Sequence, residues 1–221
     1  MSERGIVVFD IIGTCFSLDK LQQQLIELGA PAETTKLWFA QSLRDAFALS
    51  HAGGYQPLKE VLQAELPRTL KLLEVELDSD QRSQVIEQLS QLELNQSAEA
   101  AFKLLAETGY RIVALTNGSK SATEKLLERA GVQQYFSQVY SCDAIALTKP
   151  HQDVYKMVET DNLDRTWLVA AHAWDIMGAI RVGMRTAFVT QLEKDYLDVY
   201  PQPQIRAENL LEAALQIIKA Q

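Results

Sequence analysis

The sequence predicts an α/β protein, a parallel sheet flanked by helices, with a block of helices inserted after the first strand. Three observations carry this. Short, fully apolar runs rich in β-branched residues suit strands buried on both faces. Helical patterns, several closed by glycine, alternate with them. Residues from about 17 to 95 break that alternation with helical runs and no strong strand.

The first run is Gly5-Ile6-Val7-Val8-Phe9-Asp10, apolar until its final acid. Helical runs follow near 18–29, 34–50, 56–75 and 79–93, punctuated by Gly53-Gly54, Pro57 and Pro67. From Ser97 to Thr108, Ala98, Ala101, Phe102 and Leu105 recur at helical spacing, and Gly109 suits the position after a helix end. Tyr110 to Thr116 reads as the second strand, and Ser119 to Ala130 as a helix closed by Gly131. Gln138 to Ser141 is a weaker strand. Gln152 to Glu159 is a short helix, and Thr166 to Ala171 the next strand. Asp175 to Val182 is a helix ended by Gly183, Arg185 to Thr190 a strand, and Ala207 to Lys219 the last helix. Right-handed crossovers then give one sheet. The expected division is a catalytic core of residues 1–15 and 96–221 with a helical cap of residues 16–95.

Composition narrows the function classes. The 221 residues are 47% hydrophobic, enough for one good-sized core with or without a small satellite domain. No apolar stretch reaches membrane-spanning length. Met1-Ser2-Glu3-Arg4 runs straight into the first strand without the parts of a signal peptide, so a cytoplasmic address is expected. A net charge of −8 and the lack of basic clusters argue against a nucleic-acid footprint. Cys15 and Cys142 fit no disulfide framework or zinc pattern and read as buried thiols. His51 and His151 are assigned no role.

Polar residues gather at the expected strand ends. Asp10 ends the first strand, with Gly13-Thr14 after it; Thr116-Asn117-Gly118-Ser119 ends the second. Lys149-Pro150 follows the third, and His172 and Asp175 follow the fourth. Parallel strands bring all of these to one edge, where such sheets bind ligands. A cap inserted there would cover the edge and exclude water. A carboxylate nucleophile splits one hard displacement into two easier steps through a covalent ester. Asp10 would stay ionised beside the Lys149 cation. Thr116 and nearby backbone N–H groups would hold a carboxylate or leaving group. Asp175 or His172 would orient or deprotonate the hydrolytic water.

Four segments, VVFDIIGT, VALTNGS, LTKPHQDVY and VAAHAWDIMGA, resemble the four motifs of the haloacid dehalogenase superfamily in order and spacing across nearly the whole chain. The 2-haloacid dehalogenase branch is the most similar. The resemblance implies a Rossmann-like core, a helical cap, an aspartyl-ester hydrolase of small haloacids and no required metal or cofactor. Asp10, Lys149, Asp175, Thr116 and His172 are the implied catalytic residues. Thr14, Asn117, Tyr155, Phe39 and Trp174 are the implied substrate-facing ones. The implied partner is a small carboxylate substrate, with neither nucleic acid nor membrane; homodimers are common in similar dehalogenases.

Three positions depart from that pattern. Phe39 stands where the branch carries a cap arginine after Leu37-Trp38, and Arg44 lies about 140° further round a helix. Ala170 replaces a serine and His172 an asparagine. Two alternatives stay open. A Mg²⁺-dependent phosphatase would need an acid where Ile12 stands and a second acid near Ala170. A catalytically weakened binding protein would fit the missing arginine.

Overall fold

Residues Gly5–Phe9 form β1, with every residue buried. The other strands are β2 (Phe16–Ser17), β3 (Glu93–Leu94), β4 (Tyr110–Thr116), β5 (Phe136–Ser141), β6 (Thr166–Ala170), β7 (Arg185–Val189) and β8 (Ile205–Ala207). The computed structural model describes residues 4–220; the reading that rested on Met1, Ser2 and Glu3 lies outside them. Six strands make one sheet in the order β5-β4-β1-β6-β7-β8, all pairs parallel. The central place of β1 puts Asp10 at the sheet's ligand edge, between the ends of β4 and β6.

The helices are α1 (Asp19–Glu27), α2 (Thr34–His51), α3 (Leu58–Leu72), α4 (Ser79–Gln88), α5 (Ala98–Glu107), α6 (Lys120–Arg129), α7 (Gln152–Tyr155), α8 (Ala173–Arg181) and α9 (Leu210–Lys219). Side chains alternate across β1. Val7 and Phe9 join a core with Phe102, Leu127 and Ala213 from α5, α6 and α9. Ile6 and Val8 face Tyr155 and Ile176 from α7 and α8. Both sheet faces are thus covered, which is why the strands read as continuous apolar runs.

Helices α1–α4 have a core of their own, built on Leu25, Trp38, Leu62, Leu66 and Val85. The Trp38 indole N–H donates to the Leu62 carbonyl at 2.9 Å, tying α2 to α3. This helical layer enters and leaves through one antiparallel pair, Phe16 opposite Leu94 and Ser17 opposite Glu93. The pair corrects the strand-free reading of this region; two-residue strands are too short to leave an alternating pattern.

Other boundaries move. Pro67 lies inside α3 and does not interrupt it. Pro67 and Gln63, whose carbonyl loses the i+4 donor, are both exposed, so that carbonyl is open to solvent. α7 stops at Tyr155, four residues short of the expected Glu159. The start of the expected last helix belongs instead to β8. Among the described residues, no helix is long and apolar enough to cross a membrane.

Candidate active site

Asp10 follows directly on β1, and its backbone N–H donates to the Val169 carbonyl at 3.1 Å. Its carboxylate is nearly buried. Thr14 lies one tight turn on; its hydroxyl accepts the Ala171 N–H at 2.8 Å and so donates its own proton to Asp10 Oδ2 at 2.6 Å. The direction of this bond is fixed, because the hydroxyl has one proton and Ala171 can only donate.

Lys149 is fully buried, and its ammonium has three acceptors. Nζ donates to Asp10 Oδ1 at 2.7 Å, to Asp175 Oδ2 at 2.6 Å and to the Leu115 carbonyl at 3.0 Å. Three donors meet three acceptors, so the cation is held in one geometry. The Lys149 backbone N–H donates to Asn117 Oδ1 at 2.9 Å, which anchors the segment to the loop after β4. The Tyr155 phenol donates to Asp175 Oδ1 at 2.7 Å, so each Asp175 oxygen has a donor.

The electrostatics follow from this packing. Burial pushes the Asp10 carboxyl up, but Lys149, then His172, and the hydrogen bonds of Lys149 and Thr14 outweigh it and hold the group below its ordinary range. Burial also pushes Asp175 up; Lys149 opposes this, the Asp10 charge adds to it, and the net direction is upward. Two carboxylates share one ammonium, and Asp10 has the additional donors. Burial alone would lower Lys149, but Asp10 and Asp175 hold its ammonium above the usual lysine value.

His172 sits over this group. Its Nε2 lies 3.8 Å from Asp10 Oδ2 and 3.2 Å from the Ile12 carbonyl. Its Nδ1 lies 3.3 Å from Glu193 Oε1. Glu193 Oε2 accepts the Ala173 N–H at 2.9 Å, at the start of α8. The imidazole is flanked by Trp174, 5.0 Å between centroids and 23° between planes, and by Phe39, 6.2 Å and 25°. Gly13, at φ +82°, is required here: a Cβ would lie 2.9 Å from His172 Nε2 and 3.0 Å from Leu192.

A cavity of about 620 Å³ opens between the helical layer and the sheet edge, within the range of small-molecule sites. Leu18, Phe39, Leu43, Phe47, Trp174 and Leu192 supply apolar wall, and His172 is the point where it meets the Asp10 cluster. Lys36, Arg44 and Glu193 bring charge to the same cavity. Arg44 is paired to Asp45 at 2.9 and 3.0 Å.

The structure therefore brings together Asp10, Thr14, Lys149, Asp175, Tyr155 and His172, with Phe39 and Trp174 on the cavity wall. The Thr116 and Asn117 side chains bond to groups of the neighbouring loops rather than to the Asp10 carboxylate. The Thr116 hydroxyl accepts the Gly118 N–H at 2.9 Å, and Asn117 accepts from Lys149 and the Cys142 thiol. Both are engaged in building the β4 loop. Glu193 escaped the sequence reading, because it sits in the irregular stretch between β7 and β8, without motif or period. Cys15 and Cys142 are buried free thiols, and burial pushes Cys142 up to about 12. The donor set does not fit a divalent cation: the Lys149 ammonium already bridges Asp10 and Asp175, and Ile12 and Ala170 add no oxygen donor from their side chains.

Residues 5–183 match the family model described as haloacid dehalogenase-like hydrolase. The (S)-2-haloacid dehalogenase of Pseudomonas sp. strain YL is 25% identical over 190 residues, covering 84% of this chain and 82% of that protein. Haloacetate dehalogenase H-2 of Moraxella sp. strain B is 22% identical over 198 residues, covering 86% and 88%. The L-2-haloacid dehalogenase of Xanthobacter autotrophicus, solved with chloropropionic acid covalently bound, superposes with a TM-score of 0.85 at 21% identity, covering 97% of this chain and 98% of that one. With the buried Asp10–Lys149–Asp175 cluster at the end of the central strand and a family model spanning most of the sequence, this chain belongs to the haloacid dehalogenase-like hydrolases.

Proposed function

We propose that this hydrolase cleaves the carbon–halogen bond of small 2-haloacids through an ester on Asp10. The observation that carries the reading is an ionised, buried carboxylate held by Lys149 and Thr14, with the apolar Ile12 two residues on. An Asp10 oxygen attacks the carbon bearing the halogen; the carbon–oxygen bond forms as the halide leaves with the bonding pair. No proton is needed for that departure, so Ile12 is no handicap. A phosphate ester would need an acid for its alkoxide, and the shared Lys149 ammonium takes the place a metal would require.

The ester is then opened by water at the Asp10 carboxyl carbon. Asp175 has both oxygens occupied by Lys149 and Tyr155, and its task is to hold Lys149 in place. His172 borders the cavity and lies 3.8 Å from Asp10 Oδ2, so it is the base for this water. The helical layer, residues 16–95, acts as the cap that shields the ester from bulk solvent. Relatives named (S)-2-haloacid dehalogenase and haloacetate dehalogenase support this substrate class.

The test is a panel of 2-haloacids, haloacetates and phosphate monoesters against wild type and Asp10→Asn. Halide release from at least one haloacid, lost in the variant, is expected. Asp10-dependent phosphate release with no halide from any haloacid would overturn the proposal.

A further inference from the structure

The nearest groups to His172 ask for two protons. Nδ1 faces the Glu193 carboxylate at 3.3 Å; Nε2 faces the Ile12 carbonyl at 3.2 Å and the Asp10 carboxylate at 3.8 Å. All three are acceptors. A neutral imidazole has one N–H, and only the imidazolium has two. The ring is also fixed in plane by Phe39 and Trp174, and Gly13 leaves the space for its edge. The two departures from the branch pattern at Phe39 and His172 therefore lie side by side, with the Phe39 ring stacked beside the imidazole.

We propose that Glu193 is a positioning residue that keeps His172 protonated and fixed in the resting enzyme, and that ester formation on Asp10 converts His172 into the base that hydrolyses the ester. This rests on the haloacid reading above for its second half only. In the resting site the imidazolium offsets Asp10 and Glu193, so an anionic substrate meets less negative charge. Alkylation removes the Asp10 charge, and with it one of the influences that hold the proton on His172. The Nε2 proton then leaves to solvent through the cavity that His172 borders. Nδ1–H stays on Glu193, and the Nε2 lone pair becomes free.

The protons balance from there. Nε2 takes a proton from water, and the hydroxide adds to the Asp10 carboxyl carbon. The tetrahedral adduct expels the alkoxide of the hydroxy acid, which takes that proton back from His172. Asp10 is left as a carboxylic acid and gives its proton to His172, restoring the starting ion pair. One water is consumed, and one halide, one hydroxy acid and one proton are released.

The charged groups around the ring agree. Burial would lower the imidazole, but Glu193 and Asp10 raise it above its ordinary value. Lys149 lies on the far side of Asp10, its Nζ 5.9 Å from the Trp174 ring centroid, and Lys36 and Arg44 line the cavity from α2. These cations would oppose a second positive charge, and Glu193 is the group that offsets them.

Glu193→Gln separates charge from capping, because the amide keeps an oxygen for the Ala173 N–H. The midpoint of His172 is read by NMR in wild type, Glu193→Gln and Glu193→Asp, with His172→Asn assigning the signal. Ester on the Asp10 peptide and halide burst are read by mass spectrometry and rapid quench. In Glu193→Gln the His172 midpoint falls by about one pH unit or more. Ester hydrolysis slows by roughly tenfold or more and the ester accumulates, while the first halide burst changes less. Glu193→Asp, which keeps the charge, recovers part of both. An unchanged His172 midpoint in Glu193→Gln overturns the inference, whether or not halide is released. An altered midpoint with no halide release by wild type supports the Glu193–His172 pair and removes the haloacid reading instead.

Discussion

At Lys149, burial and function make the same demand. An ammonium with no solvent contact is tolerable only because Asp10, Asp175 and the Leu115 carbonyl take all its protons. Lys149→Met is expected to lose activity and to destabilise the fold by about 3–5 kcal/mol, because two carboxylates would be left buried without their cation. Denaturant unfolding checks this, and a variant as stable as wild type would refute it. His172 gives a signed pH dependence. Its raised value means that its interactions contribute stability fully below the ordinary 6.5 and lose that contribution as pH rises through the folded value. The stability gap between wild type and His172→Gln should therefore be widest in mild acid and narrow toward alkaline pH. A gap that widens with pH would contradict the Glu193 and Asp10 pairing.

At the scale of elements, α8 shows how packing reaches the site. Gly178 faces Tyr155 so closely that a Cβ would lie 2.3 Å from the phenol oxygen and 2.7 Å from Pro150 Cβ. Gly178→Ala must displace the phenol that holds Asp175 Oδ1. The expected cost is about 1–3 kcal/mol, together with reduced activity, although alanine favours helices. A more stable, fully active variant would show that Tyr155 is free to move. The same scale decides what was legible in the sequence. Asp10, His172 and Asp175 could be placed because each follows a strand or opens a helix with a strong local pattern; Lys149 follows a weaker strand and was picked out by its Lys-Pro segment, and Thr116 ends a clear strand. Tyr155 and Asp175 were legible as residues, but their bond depends on Gly178 and the α7–α8 contact, which has no local signature. Glu193 was not legible at all: its partners, His172 and Ala173, lie 21 and 20 residues away, across β7. The helical run through Pro67 was legible, and α3 contains that proline on an exposed face.

For the whole molecule, the question is how the helical layer stays over the sheet edge. Beyond the β2–β3 stem, the Tyr55 phenol donates to Asp143, and Ser50 Oγ accepts the Thr148 N–H at 3.0 Å. Both contacts join the end of α2 and its following loop to the segment that leads into Lys149. Tyr55→Phe removes one of them at a cost of about 0.5–1.5 kcal/mol. The proposed cap should then open more readily, raising KM more than it lowers kcat; a change confined to kcat would place the effect in Lys149 instead. The helical layer was foreseen because four helical runs separate the first two sheet strands. Its attachment was not, since two-residue strands and single hydrogen bonds leave no period to read.

The central claim is the covalent ester on Asp10, and a single turnover in heavy-oxygen water tests it most directly. With enzyme in excess over a 2-haloacid, an Asp10 ester predicts a hydroxy acid whose new oxygen is the ordinary isotope from Asp10. The heavy atom from water should then be found in the Asp10 carboxylate. Heavy oxygen in the first-formed hydroxy acid, with Asp10 unlabelled, would mean that water displaces the halide directly and that Asp10 is not the nucleophile.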